Sequence, residues 1–401
     1  MSNRVVITGL GSISALGLNS EAFWQAIKTG QSGIDILQGF APGALKMALG
    51  AQVKGFEPAT FFAQKDLPLL DRYSQFALIA ARESVVDAGL DAEALTQAAA
   101  VIGTGCGGKE TDEMTYDHLY KQQKNRAHPF TIPRGMPSAA ASQVSMQLGI
   151  QGPVFTVSSA CSSANHAIAQ AALMIRSGIV DVAVAGGTDA PFTFGLIKSW
   201  EALRVISSDN CRPFSQDRSG LVLGEGAGMV VLESEAHAKK RSARIYARLA
   251  GSGMSSDAGH ITDPSAQGAA RAITAALLDA EIDYQDVDYV NAHGTGTQAN
   301  DRTETEALHL VFKSHADKLI ISSTKSMHGH ALGASGGLEF IATVLAIQDS
   351  VVPPTINFTG PGEGCDLDYV PNNAREHKVN TAISNSFAFG GLNAVQVITR
   401  F

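Results

Sequence analysis

The feature that most constrains the fold is an alternation that occurs twice. Short β-branched runs are followed by alanine-rich helical stretches, the pattern of an α/β protein with buried, largely parallel strands. Residues 5–8 (VVIT) read as a buried strand entering a glycine turn, Gly9-Leu10-Gly11, and residues 245–249 lead into Gly251-Ser252-Gly253 in much the same way. Further strands are predicted at 100–102, 154–157 and 182–185 in the first half. In the second half they are predicted at 287–291, 319–322, 382–384 and 395–398. Helices are predicted at 71–88, 164–177, 267–280 and 338–348, where apolar residues recur at helical spacing. The repeat predicts two similar α/β halves, 1–250 and 251–401, without a low-complexity linker and with inserted segments at 30–65 and 109–135.

Composition excludes several function classes. Charged residues are 17% of the chain and hydrophobic ones 45%, so the chain can bury an extensive core. A net charge of −8 supplies no basic excess for general nucleic-acid binding. No run of 18 apolar residues occurs, and residues 5–20 are too interrupted by Gly, Ser and Thr for a signal peptide. Cys106, Cys161, Cys211 and Cys365 are scattered, with no C-x-x-C pair, which predicts reduced thiols in a cytoplasmic protein.

Cys161 has the most suggestive context. It follows a predicted strand and the small-residue turn Ser158-Ser159-Ala160, and precedes a helix. A cysteine at a helix N-terminus faces unpaired backbone N–H groups, which favour its thiolate. The other three cysteines lack this setting and are expected to be inert. His293, in NAHGTGT, and His330, in STKSMHGH, both follow predicted strands, where open α/β sheets place their sites. A cysteine with two distant histidines is a nucleophilic constellation. Three other patterns are weaker. His293, His328 and His330 could form a three-histidine zinc site, but no carboxylate completes a metal motif. Ser322-Ser323-Thr324-Lys325 fits S-x-x-K without a following K-T-G. No complete G-x-G-x-x-G or P-loop is present. Residues 385–393 (NSFAFGGLN) read as a mobile loop beside a pocket or as core aromatics before a turn.

Seven ordered segments together resemble the β-ketoacyl-[acyl-carrier-protein] synthases, elongating condensing enzymes of the thiolase superfamily. They are VVITGLGSIS at the start, SSACSS at 158–163, VAVAGGTDA at 182–190 and RPFSQDRSGLVLGEGAGM at 212–229. NAHGTGTQAND at 291–301, STKSMHGHALGASGGLE at 323–339 and NSFAFGGLN at 385–393 complete the set. The cysteine segment is most similar to the nodulation protein E-like branch.

The resemblance implies a thiolase-like, layered αβαβα fold and a decarboxylative Claisen condensation of an acyl chain with malonyl-acyl carrier protein. It implies that Cys161 carries the acyl chain, and that His293 and His330 stabilise the enolate formed from malonyl thioester. Lys325 and Glu339 would be a buried supporting pair, the cation keeping both histidines neutral. The N–H groups of Cys161 and Phe389 would form the oxyanion hole. Thr295 and Thr297 would line the pantetheine tunnel, Phe389 would gate malonyl entry, and Asp301 would support the histidine loop. No metal or diffusible cofactor is implied, since the phosphopantetheine arm arrives on the carrier.

The family's usual pattern is altered at Ala388, Leu392 and Cys106. A glycine commonly stands where Ala388 is, so a stiffer gate is expected. Cys106 would leave room at the far end of the acyl pocket. The usual basic run for carrier docking is LPLLD at 67–71, leaving Lys65, Arg72 and Arg204 as candidates. The resemblance also implies a homodimer, or a heterodimer in which this chain is the catalytic partner of a chain-length factor. A catalytically dead chain-length factor is disfavoured because Cys161, His293 and His330 are all present. A thiolase-like enzyme of acyl-CoA esters is disfavoured because a cysteine base would replace one histidine.

Overall fold

The computed structural model describes residues 3–401. Ten strands form one mixed sheet: β1 (Val5–Ser14), β2 (Ala99–Gly103), β3 (Val154–Val157), β4 (Val182–Asp189), β5 (Gly226–Ser234), β6 (Ala247–Ser256), β7 (Tyr289–Asn291), β8 (Ile320–Ser322), β9 (Thr381–Ala388) and β10 (Leu392–Thr399). Their order across the sheet is β8-β7-β9-β10-β6-β1-β5-β4-β2-β3. The order is symmetric about the antiparallel β6–β1 pair. On one side β1–β5 and β5–β4 are antiparallel, and β4–β2 and β2–β3 parallel. On the other, β6–β10 and β10–β9 are antiparallel, and β9–β7 and β7–β8 parallel. The internal repeat is therefore a repeat of topology. The predicted boundary at residue 250 falls inside β6.

Seven helices matter for the layers: α1 (Arg72–Ala88), α2 (Ala139–Leu148), α3 (Ser163–Arg176), α4 (Phe194–Leu203), α5 (Ala266–Ala280), α6 (Gln298–Phe312) and α7 (Ser335–Asp349). Helices α3 and α7 touch each other and strands of both halves, forming the middle layer. Helices α1 and α2 cover the first half outside, and α5 and α6 the second, giving the αβαβα arrangement. Helix α1 starts at Asp71, which accepts the Tyr73 N–H, and stops at Gly89 with φ +62°.

The glycines after residues 8 and 250 are not turns, contrary to the sequence reading. Both β1 and β6 continue through them, with a break in pairing register at Thr8 and at Ala250. A Cβ at Gly9 would lie 2.0 Å from Ser84 O, and one at Gly253 would lie 2.1 Å from Ala272 O. Each strand thus lacks side chains where a helix backbone, α1 or α5, rests on it. The segment 385–393 also differs from a loop. Strand β9 continues to Ala388 and β10 resumes at Leu392, so only Phe389-Gly390-Gly391 turns, with φ +82° and +70° at the glycines. No helix among the described residues is long and apolar enough to cross a membrane.

Candidate active site

Segments that follow strand ends of the two halves meet around one cavity of about 250 Å³, lined by Cys161, His293, His330, Thr295, Thr297 and Phe389 among others. Cys161 enters it from a 3-10 turn (Ala160–Ser162) between β3 and α3. Ala160 takes φ +51°, a conformation costly for a residue with a Cβ. Local hydroxyls hold the bend: Ser163 Oγ donates to Ala160 O at 2.6 Å, and Ser162 Oγ donates to Ser159 O at 2.8 Å. Burial pushes the Cys161 thiol up to about 11, outweighing the opposite pull of Lys325 and the backbone N–H groups of Phe389 and Cys161. Desolvation therefore outweighs the hydrogen bonds and the cation that favour the thiolate.

His293 and His330 face the sulfur. Their rings are 5.4 Å apart and nearly perpendicular, at 86°. The nearest ligand-type atoms of the three residues lie within 4.8 Å of one another. Backbone and side-chain partners define the tautomers. Leu332 N–H donates to His330 Nδ1 at 3.1 Å, and Ser335 Oγ lies 2.9 Å from the same nitrogen. The Lys325 ammonium lies 3.3 Å from His293 Nδ1 and donates to His293 O at 2.6 Å. An Nδ1 that accepts carries no proton, so each neutral ring bears its hydrogen on Nε2. Burial first, then the Lys325 charge, lowers both imidazoles well below their ordinary range, which keeps them neutral.

This protonation also bears on metal binding. Both Nδ1 atoms are occupied and both Nε2 atoms protonated, so only the sulfur would offer an available ligand atom. Ligation would cost the hydrogen bonds that orient the rings. His328 does not join the other two histidines. Its Nε2 meets Thr324 Oγ1 at 3.0 Å, and its ring packs near Phe23.

Lys325 and Glu339 form a fully buried ion pair. Burial raises Glu339 to about 7, against the lowering effect of Lys325. Asp301 accepts the Phe214 N–H at 2.7 Å and the Gly296 N–H at 3.2 Å, bracing the loop after His293. Thr295 and Thr297 hydroxyls pair at 2.9 Å on the cavity wall. Phe389 is half-buried and stacks on Trp200 at 5.9 Å, while the next residue, Gly390, donates its N–H to Ile261 O.

Other predicted residues lie elsewhere. Cys106 is not on the wall of this cavity. It packs in an adjoining apolar cluster with Ile206, Leu221 and Leu332. Arg72 is not a free docking cation. It is bound by the buried Glu225, at 2.9 and 2.6 Å, and lies over Phe56 and Phe76. Lys65 is exposed but no residue of 56–72 lines the cavity. Arg204 is exposed at the end of α4, between two cavity-lining residues, Leu203 and Val205.

Sequence reasoning missed Glu304 and Asp189. Glu304, on α6, takes the N–H groups of His293 and Gly294 at 2.8 Å each, one per oxygen. Asp189, the last residue of β4, accepts four hydrogen bonds while fully buried. Asp189 is a carboxylate in an apolar stretch, the one available signal, whereas Glu304 lies in the polar run QANDRTETE, where nothing marks it out.

Family models described as "Beta-ketoacyl synthase, N-terminal domain" and "Beta-ketoacyl synthase, C-terminal domain" match residues 2–238 and 246–359. The chain belongs to the beta-ketoacyl synthase family. As such it is an acyltransferase that makes carbon–carbon bonds by condensation. This ketosynthase is 51% identical over 397 residues to nodulation protein E of Rhizobium sp. (strain N33), covering 98% of each chain. It is 43% identical over 407 residues to 3-oxoacyl-[acyl-carrier-protein] synthase 2 of Coxiella burnetii, covering 99% of this chain and 98% of that one. Its structure matches the ishigamide ketosynthase/chain length factor with a TM-score of 0.95 at 35% identity over both full chains.

Proposed function

We propose that this ketosynthase condenses an acyl chain held on Cys161 with malonyl-acyl carrier protein, the first half of the chain supplying the nucleophile and the second the two histidines and Phe389. The observation that carries the assignment of roles is the clustering of the Cys161 sulfur with a ring nitrogen of each of two buried, neutral histidines within 4.8 Å, both rings having Nδ1 engaged by donors. In the loading step the sulfur attacks the carrier thioester, the Cys161 proton ends on the departing pantetheine thiol, and an acyl-enzyme remains. The N–H groups of Cys161 and Phe389 receive the oxyanion; one such donor is typically worth about 3–4 kcal/mol. Malonyl thioester then loses carbon dioxide. His293 and His330 donate to its thioester oxygen as the enolate forms. The enolate carbon bonds to the acyl carbon, the carbon–sulfur bond breaks, and the sulfur of Cys161 takes up a proton. The products are 3-oxoacyl carrier protein, carbon dioxide and free enzyme.

Neutral donors suit this task. An imidazolium would favour the malonyl carboxylate in the ground state, whereas a neutral N–H gains most as charge develops on the oxygen. The carrier protein is supported by the relative that acts as a 3-oxoacyl-[acyl-carrier-protein] synthase. Its phosphopantetheine arm would bring the reacting thioester past Thr295 and Thr297, and no diffusible cofactor takes part. For docking, exposed Lys65 and Arg204 remain available, together with Lys124 and Arg126 in a stretch, 118–134, that contains no acidic residue. We infer a twofold homodimer in the cytoplasm. A heterodimer with a chain-length factor is the second reading, favoured by the likeness to a ketosynthase/chain length factor structure.

The roles are tested by separating the partial reactions. His330→Ala should lose malonyl decarboxylation while retaining acylation of Cys161, followed by mass spectrometry of the acyl-enzyme. Loss of acylation with decarboxylation intact would reverse the assignment.

A further inference from the structure

Asp189 lies one layer behind the histidines. Its carboxylate is fully buried at the end of β4, and all its contacts are donors. Oδ1 accepts Thr104 Oγ1 at 2.8 Å and the Cys106 N–H at 2.9 Å. Oδ2 accepts the Gly105 N–H at 2.8 Å and the Gly333 N–H at 2.6 Å. One carboxylate thus ties a loop of the first half, 104–106, to a turn of the second, 332–334.

That turn is the one that orients His330. Leu332 takes φ +49°, unusual for a side chain with a Cβ, and its N–H is the donor to His330 Nδ1. A residue in this conformation persists only when its surroundings hold it there. The next peptide N–H, that of Gly333, ends on Asp189. Gly333 also leaves no room for displacement toward the loop, since a Cβ there would lie 2.4 Å from Gly105 N and 2.7 Å from Asp189 Oδ2. The Leu332 turn is therefore clamped between the carboxylate and the ring.

We propose that Asp189 is a positioning residue for His330: by anchoring the Gly333 N–H it holds Leu332 in its left-handed conformation, keeps the Leu332 N–H on Nδ1, and so maintains the Nε2–H tautomer that points at the substrate. The inference rests on the reading of His330 as an enolate donor, but its structural part stands apart from that reading. Asp189 touches no substrate. It acts through the backbone of residues 332 and 333, and it links the donor to a different half of the sheet from the one that carries the histidine.

The test uses the full-length enzyme with ¹⁵N-labelled histidine. NMR reports the His330 tautomer, and decarboxylation of malonyl carrier protein and acylation of Cys161 are measured separately. Asp189→Ala should give a mixed or Nδ1–H tautomer at His330, lower decarboxylation about 100-fold, as for a misplaced reacting group, and lower acylation less than tenfold. Thr104→Val removes a different donor to the same carboxylate and should leave the His330 tautomer unchanged. If Asp189→Ala does not fold, Gly333→Ala displaces the turn from the other side and should shift the same tautomer. An unchanged His330 tautomer in the folded variant overturns the proposal, whatever the activity. A shifted tautomer with full decarboxylation would support the positioning role and overturn the reading of His330 as donor.

Discussion

The turn that presents Cys161 and the loops that present the histidines solve the same problem in different ways. The cysteine turn is held by its own neighbourhood: hydroxyls of Ser162 and Ser163 and the left-handed Ala160 lie within a few residues of the sulfur. The histidine loops are held by charged groups from distant elements. Glu304 on α6 grips the His293 backbone, and Lys325 reaches its ring while paired with Glu339 on α7. A nucleophile needs one atom in one place, and short-range sterics can supply that. A hydrogen-bond donor needs a defined proton, which requires a partner for the other ring nitrogen and a local field.

If this contrast is right, the histidine side should break hardest on loss of a charge. Lys325→Met would leave the Glu339 carboxylate buried without its partner and should cost about 3–5 kcal/mol of stability, measured by chemical denaturation. Lys325→Met with Glu339→Gln should recover much of that loss, because no buried charge is then left unpaired. Recovery of stability without recovery of decarboxylation would separate the structural role of the pair from its effect on His293. Glu304→Ala should destabilise by about 1–3 kcal/mol by leaving two buried backbone N–H groups and the buried Asn385 amide unsatisfied, and should reduce decarboxylation more than acylation. Equal losses in both steps would place Glu304 with the scaffold alone.

The cysteine side should respond more mildly. With the thiol raised to about 11, the thiolate fraction at Cys161 grows about tenfold per pH unit below that value. The rate of Cys161 alkylation by iodoacetamide should therefore still be rising at about pH 9.5. A plateau below about pH 8 would mean that the helix terminus and Lys325 outweigh burial. The smallest effect is expected from Ala160→Gly. Relief of the left-handed alanine, offset by the greater chain entropy of glycine, should change stability by about 1 kcal/mol or less in the stabilising direction. Slower alkylation in that variant would show that the strain helps to hold the sulfur in place.

Legibility from the sequence follows the same division. The β3–turn–α3 arrangement around Cys161 depends on adjacent residues and was readable from SSACSS. The strand-end positions of His293 and His330 were readable too, because the apolar runs before them are short and well bounded. The glycines of β1 and β6 were misread as turns because sequence shows a missing side chain but not the helix that occupies its place. Arg72 was misassigned for a related reason: its partner, Glu225, lies 153 positions away along the chain. Cys106 packs against an apolar cluster with Leu332 and the cavity-lining Leu221, a placement that tertiary packing sets and sequence does not show.

By itself the sequence determined the alternation of strands and helices and the twofold repeat, and it pointed to Cys161 as the candidate nucleophile with two histidine companions. These are encoded in local periodicity and in residue types next to one another. The tertiary structure alone decided which nitrogen of each histidine bears the proton, that burial outweighs the nearby Lys325 cation at Cys161, and that Asp189 and Glu304 hold the backbone of the site loops. Those properties depend on desolvation and on hydrogen bonds between segments far apart in the chain, and both come into being only when the two halves close on the same cavity.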